Sequence, residues 1–171
     1  MTTNNRIITY SGSHGTGKST AVYNRVADLK KTFPGKQIGI HVENLTFCPY
    51  PINEDTTEES QLWIFTNHIQ AELYLLSHFD IVVSDRSIID CIAYTEAAGF
   101  IPLASHMLLI ALHHMQRYSE INYHTIDNNN HLYDDGLRTT DIDFQRLIER
   151  IMLNNYGQLG YTTDNPQFNL I

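Results

Sequence analysis

Lysine runs out early in this chain. Of its eleven Lys and Arg residues, six (Arg6, Lys18, Arg25, Lys30, Lys31 and Lys36) fall in the first 36 of 171 positions, and no lysine follows Lys36. The remaining cations are Arg86, Arg117, Arg138, Arg146 and Arg150. Residues 37–85 hold no Lys or Arg, against eight acids: Glu43, Glu54, Asp55, Glu58, Glu59, Glu72, Asp80 and Asp85. With nineteen Asp and Glu the formal charge is -8 and the pI about 5.5. Lacking a basic face, the chain is not expected to bind nucleic acid or an anionic membrane, both of which need cations to meet phosphate.

Other absences narrow the field further. No apolar run approaches the roughly 20 residues of a membrane span, and the opening MTTNN has no apolar signal core. Two cysteines, Cys48 and Cys91, cannot build a disulfide framework and have no metal-ligand pattern around them. The nine histidines, His113 and His114 among them, show no ligand spacing with a supporting carboxylate and are expected to be scattered. A cytoplasmic location is expected, with oligomeric state open, a homodimer included. An apolar content of 42% with 18% charged residues is that of a globular protein. The length, free of repeats or linkers, fits one domain over 1–171.

The pattern along the chain alternates strands and helices. Arg6–Tyr10 (RIITY), Gln37–Val42 (QIGIHV), Phe79–Ser84 (FDIVVS) and Ile121–Ile126 (INYHTI) have strand character, with a weaker last strand in the tail. Helix spacing covers Lys18–Phe33, Thr57–Leu76, Ile88–Ala98, Leu103–Tyr118 and Asp141–Asn155. On the second helix, Leu62, Phe65, Ile69, Leu73 and Leu76 make an apolar face, and Trp63, Asn67, Gln70 and Tyr74 another. The stretch between strand two and that helix, with Pro49 and Pro51, is a loop, as is the polar segment 127–140. Such alternation predicts a parallel sheet covered by helices on both faces.

Between the first strand and the first helix stands Gly12-Ser13-His14-Gly15-Thr16-Gly17-Lys18-Ser19, which fits G-x-x-x-x-G-K-[ST] at every fixed position. Glycines let successive backbone N–H groups converge on phosphate oxygens, and the helix N-terminus adds positive charge. Gly12, His14, Gly15, Thr16, Gly17, Lys18, Ser19 and Thr20 are therefore the candidate ATP-binding residues, with Lys18 reaching the β- and γ-phosphates and Ser19 available to Mg²⁺. Asp85-Arg86-Ser87 directly follows the third strand, at the sheet edge where ligands bind in open α/β folds. Asp85 suits the metal, and Arg86 a phosphate or reacting oxygen.

With these features in order, the sequence resembles the P-loop nucleoside and nucleotide kinases, of AAA-type ATP-binding, deoxyribonucleoside-kinase-like or thymidylate-kinase-like kind. The matching features are GSHGTGKS at 12–19, Glu43 after strand two, DRS at 85–87 and DDGLRTTD at 134–141. The resemblance implies a three-layer fold on a five-stranded parallel sheet, Mg-ATP as donor, and a lid at about 127–140 carrying Arg138 to neutralise transition-state charge. It also implies that Glu43 takes a proton from the acceptor hydroxyl, oriented by Arg86, although no proline follows Glu43 as it usually does in that family. Arg146, two helical turns after Arg138, is either a second cation of the site or a surface residue.

The cation gap from 37 to 85 bears on the acceptor. A monophosphate acceptor needs a cationic clamp there; a hydroxyl acceptor needs a base instead. The sequence therefore predicts transfer of the γ-phosphate to a nucleoside-like hydroxyl, with Asn67 or Gln70 supplying amide contacts to the heterocycle. The rivals are a thymidylate-kinase-type monophosphate kinase and an ATP-binding regulatory module.

Overall fold

Ile7 and Ile8 are adjacent in sequence and both buried, yet they enter separate hydrophobic cores on opposite faces of one strand. That strand, β1 (Arg6–Ser11), is the middle of five parallel strands. The others are β2 (Ile38–His41), β3 (Ile81–Asp85), β4 (Tyr118–Tyr123) and β5 (Phe168–Leu170), in the order β2-β3-β1-β4-β5. The computed structural model from which this follows describes residues 6–43, 45–52, 55–127 and 141–171. Register places Val82 of β3 beside Ile7 and Val83 beside Ile8, so the two-faced alternation continues across the sheet.

One helix covers one face. In α1 (Lys18–Thr32), Val22, Val26 and Leu29 recur at helix spacing and pack on Ile8, Tyr10, Ile38 and Val83. Four helices cover the other: α2 (Glu58–His78), α3 (Ile88–Ala97), α4 (Ile101–His114) and α5 (Ile142–Gln158). Their core includes Phe65, Ile92, Met107, Ile148 and Tyr156. The result is the expected three-layer α/β sandwich, with the carboxyl ends of β1, β2 and β3 side by side. Among the described residues no helix is long and apolar enough to cross a membrane.

Helix starts follow local chemistry. Thr57 and Ser60 form a capping box at α2, Ser87 and Asp90 another at α3, and Asp141 caps α5 by accepting from two backbone N–H groups. Several boundaries differ from the sequence pattern, most of all around the fourth helix. The fourth helix begins at Ile101, because Pro102 sits in its first turn, where a missing N–H costs nothing. It ends at His114, and β4 starts at Tyr118, three residues before the strand pattern suggested. The apolar spacing runs unbroken through the intervening 3-10 turn, Met115–Arg117, so it could not mark the end. The inward face of α2 also differs. Leu62 and Leu73 are exposed, and the buried residues are Ser60, Gln61, Phe65, His68 and Glu72.

Phe65 is the aromatic anchor of that inward face, 1% exposed. Phe65→Ala should lower unfolding free energy by about 3–5 kcal/mol in urea titration. A loss below about 1 kcal/mol would show that α2 does not pack through this face.

Candidate active site

The glycines of the phosphate loop are forced by geometry. At Gly12, φ is 137°, and a Cβ there would stand 2.4 Å from the His124 carbonyl oxygen. Gly17, with φ 80°, begins α1 from the left-handed region. Within the loop Lys18 is buried, and its Nζ donates to the Ser13 carbonyl and to Thr16 Oγ1 at 3.2 Å. Ser19 and Thr20 are exposed on the first turn of α1. Two other elements hold the loop from outside. Gln145 of α5 donates to the His14 carbonyl at 2.7 Å, and the His14 ring lies 3.1 Å from the Tyr94 hydroxyl. Beyond β4, His124 Nδ1 is 3.1 Å from the Thr16 carbonyl. Burial, and then the nearby Lys18 charge, hold His124 below the ordinary imidazole value, partly opposed by that hydrogen bond. A carbonyl only accepts, so Nδ1 carries the proton.

Beside the loop, Ser19 Oγ donates to Asp85 Oδ2 at 2.6 Å. A hydroxyl and a carboxylate at a helix N-terminus, facing a phosphate cradle, are the hard oxygen donors that suit Mg²⁺. The residues present therefore fit that ion.

Arg86 is the most constrained residue of the site. Its φ is 84°, the one positive value among non-glycine described residues, and its side chain is 4% exposed. The backbone is clamped on both sides. Its N–H donates to Tyr10 O at 2.9 Å, and its carbonyl accepts from Thr9 Oγ1 at 2.8 Å and Ser84 Oγ at 2.9 Å. Arg86 Nε donates to Glu43 Oε2, Nη1 lies 3.5 Å from Asp90 Oδ1, and the guanidinium sits 5.3 Å from the Tyr94 ring centroid. Desolvation opposes the charge, but Glu43, Tyr94 and Asp90 together outweigh it, so the arginine is held more firmly protonated than in water.

Asp90 joins this arginine to the phosphate loop. Fully buried, it accepts from Ser11 Oγ at 2.6 Å, Ser87 Oγ at 2.8 Å, Ser87 N at 3.0 Å and Gly12 N at 3.3 Å. The structure thus gathers the loop residues, Ser19, Glu43, Asp85 and Arg86 at one edge of the sheet. Asn67 is half-buried and Gln70 exposed on α2. Arg138, with positions 128–140 of the expected lid, lies outside the described residues. Arg146 is exposed and 3.9 Å from Asp143. Sequence reasoning missed Asp90, Tyr94, His124 and Gln145. Asp90 had a signal, since Ser87-x-x-Asp90 is a capping box and Arg86 stands four residues before it.

No protein-family model and no curated protein matches the chain. Solved structures do. Thymidylate kinase from Ehrlichia chaffeensis aligns with a TM-score of 0.66 at 17% identity, over 98% of this chain and 92% of that one. Deoxyadenosine kinase from M. mycoides with bound dATP aligns with a TM-score of 0.62 at 14% identity, over 97% and 90%. Thymidylate kinase from Candida albicans gives 0.62 at 13% identity, over 98% and 83%. The chain has the fold of the P-loop nucleoside and nucleotide kinases.

Asp90 serves as a positioning residue for Arg86 and for the start of the loop. Asp90→Asn should cost about 3 kcal/mol of stability, because a buried cation and two serine donors lose their carboxylate. Where the loop binds ATP as proposed below, the same variant should weaken that binding, measured by calorimetry. Unchanged values of both would separate Asp90 from the site.

Proposed function

We propose that this protein is an ATP- and Mg²⁺-dependent kinase that transfers the γ-phosphoryl group to a hydroxyl of a nucleoside-like acceptor. One observation supports this above the others: Glu43, after β2, is paired with Arg86, after β3, alongside the Ser19–Asp85 contact at the phosphate loop. A base and a donor cradle thus share one edge of the sheet.

In this mechanism the loop amides and the N-terminus of α1 hold the donor phosphates. Lys18 exchanges its contacts with the Ser13 carbonyl and Thr16 hydroxyl for phosphate oxygens. Ser19 and Asp85 would hold Mg²⁺, which when bound would supply charge neutralisation at the phosphates. Glu43 accepts the acceptor hydroxyl's proton on its carboxylate as that oxygen bonds to the γ-phosphorus and the bond to the β–γ bridging oxygen breaks. Arg86 fixes Glu43 through Oε2 and steadies the acceptor oxygen. Arg138 is assigned the neutralising role of a lid arginine.

The acceptor follows from charge. Arg86 is the first cation after Lys36, and its guanidinium already meets two carboxylates, so it is poorly placed to grip an acceptor phosphate. A neutral hydroxyl acceptor needs no such grip.

Incubation with Mg-ATP and a pool of nucleosides and nucleoside monophosphates, followed by product analysis, should show phosphate on nucleosides alone. Transfer to monophosphates would favour a thymidylate-kinase-type activity instead, and no transfer an ATP-binding regulatory module. Lys18→Ala should abolish transfer. Glu43→Gln should cut turnover on the order of 100-fold or more while leaving ATP binding intact. Full activity in the Glu43→Gln variant would remove Glu43 from the role of base.

A further inference from the structure

The inward face of α2 carries chemistry that phosphoryl transfer does not use. His68 and Glu72 are one helical turn apart, 5% and 0% exposed, with His68 Nε2 3.1 Å from Glu72 Oε1. That separation is not a hydrogen bond in geometry: His68 Nε2 is buried with no hydrogen-bond partner. His41, at the end of β2, brings its ring edge-on to His68 at 4.5 Å between centroids. One ligand atom from each of the three residues lies within 4.8 Å of the others.

The surroundings of each residue leave the inner atoms for a shared guest. Glu72 Oε2 accepts from His114 Nε2 at 2.6 Å and from the Tyr118 hydroxyl at 3.1 Å, while Oε1, 3.5 Å from that hydroxyl, is turned towards His68. Ser84 has one hydroxyl proton, and it goes to the Arg86 carbonyl. Ser84 Oγ must therefore accept from His41 Nδ1, 2.9 Å away, which fixes the tautomer with the lone pair on Nε2. This is the outer hydrogen bond that commonly orients a metal-binding imidazole. His68 Nε2 and Glu72 Oε1 stand at ion-pair distance, 3.1 Å apart, a spacing that two ligand atoms also take when they converge on an ion roughly 2 Å from each.

We propose that His41, His68 and Glu72 form a transition-metal site, of a ligand type suited to Zn²⁺, beneath the phosphoryl-transfer edge and distinct from the Ser19–Asp85 pair. Two imidazoles and a carboxylate are borderline donors that select zinc over Mg²⁺ or Ca²⁺, and a water completes four-coordination. Burial, followed by the charge of His68, lowers the His41 pKa to about 3, so its lone pair is available. Through His41 and Ser84 the ion would brace the ends of β2 and β3, two residues from Glu43 and one from Asp85.

The test reads metal and not activity, so it stands or falls apart from the kinase assignment. The full chain, stripped with chelator, is titrated with Co²⁺ and then Zn²⁺, both as native protein and during refolding from urea, because the ligands are buried. One equivalent of Co²⁺ should bind with the intense visible absorption of four-coordinate cobalt and be displaced by Zn²⁺. Zinc at 100 times its dissociation constant should raise the melting temperature by roughly 5 °C. His41→Gln, which keeps a donor for Ser84, and Glu72→Gln should each weaken Zn²⁺ binding by about 100-fold or more, while Asp85→Asn keeps the full equivalent. If Glu72→Gln fails to fold, His41→Gln alone carries the comparison, with circular dichroism confirming its structure. No bound equivalent, weak octahedral absorption, or binding that survives His41→Gln but is lost in Asp85→Asn would overturn the site.

Discussion

Burying the Arg86 guanidinium is the constraint around which this molecule is arranged. A charge removed from water costs several kcal/mol unless it is paired in good geometry, and here the compensation comes from three residues. Glu43 arrives from beyond β2, and Asp90 and Tyr94 from α3. Asp90 also holds Ser11 and Gly12, so the glycine-rich loop and Arg86 share a single carboxylate. The left-handed backbone of Arg86 costs roughly 1–2 kcal/mol, and three hydrogen bonds to its own peptide groups sustain it. What looks like a list of separate site residues is one electrostatic unit.

The same principle explains how a stretch with no lysine or arginine tolerates its acids. Glu58 and Glu59 are exposed in the first turn of α2, where the helix dipole favours them. Asp80 has its pKa lowered by the Gln37 backbone N–H and by Lys36, just before the cation gap. Glu72 cannot reach any such partner. Burial would raise its pKa, yet His68 and His114 reverse that and keep it ionised well below the usual carboxylate range. Imidazoles here do the work that lysine does elsewhere, and their compactness lets the group fit between a helix and a sheet.

Much of this was legible in the linear chain. The strand–glycine loop–helix unit declares itself, since each fixed position has one physical purpose, and Asp85-Arg86 after an apolar strand marked the opposite wall. The α/β layering followed from alternation of short β-rich runs with helix spacing. The inward face of α2 did not. Periodicity counts apolar side chains, and the face that packs is partly polar, its His68 and Glu72 made compatible with burial by groups 42 and 46 positions beyond Glu72. His41 and His68 are 27 positions apart, so their meeting depends on how α2 returns along β2 and β3, which no local pattern records. Asp90 was hidden differently: its capping-box position explained it fully, and that masked a second role.

Gln145 and the carbonyl of His14 are separated by 131 positions, and their hydrogen bond brings α5 onto the phosphate loop. His124, just beyond β4, which meets the same loop at Thr16, also comes more than a hundred residues later. During synthesis the loop emerges first and its outer supports last. A nascent chain that has displayed the glycine-rich turn but not yet α5 carries the sequence of a nucleotide site without its shape. The shape of this loop is therefore completed only after residues well over a hundred positions beyond it have been made and folded back onto it.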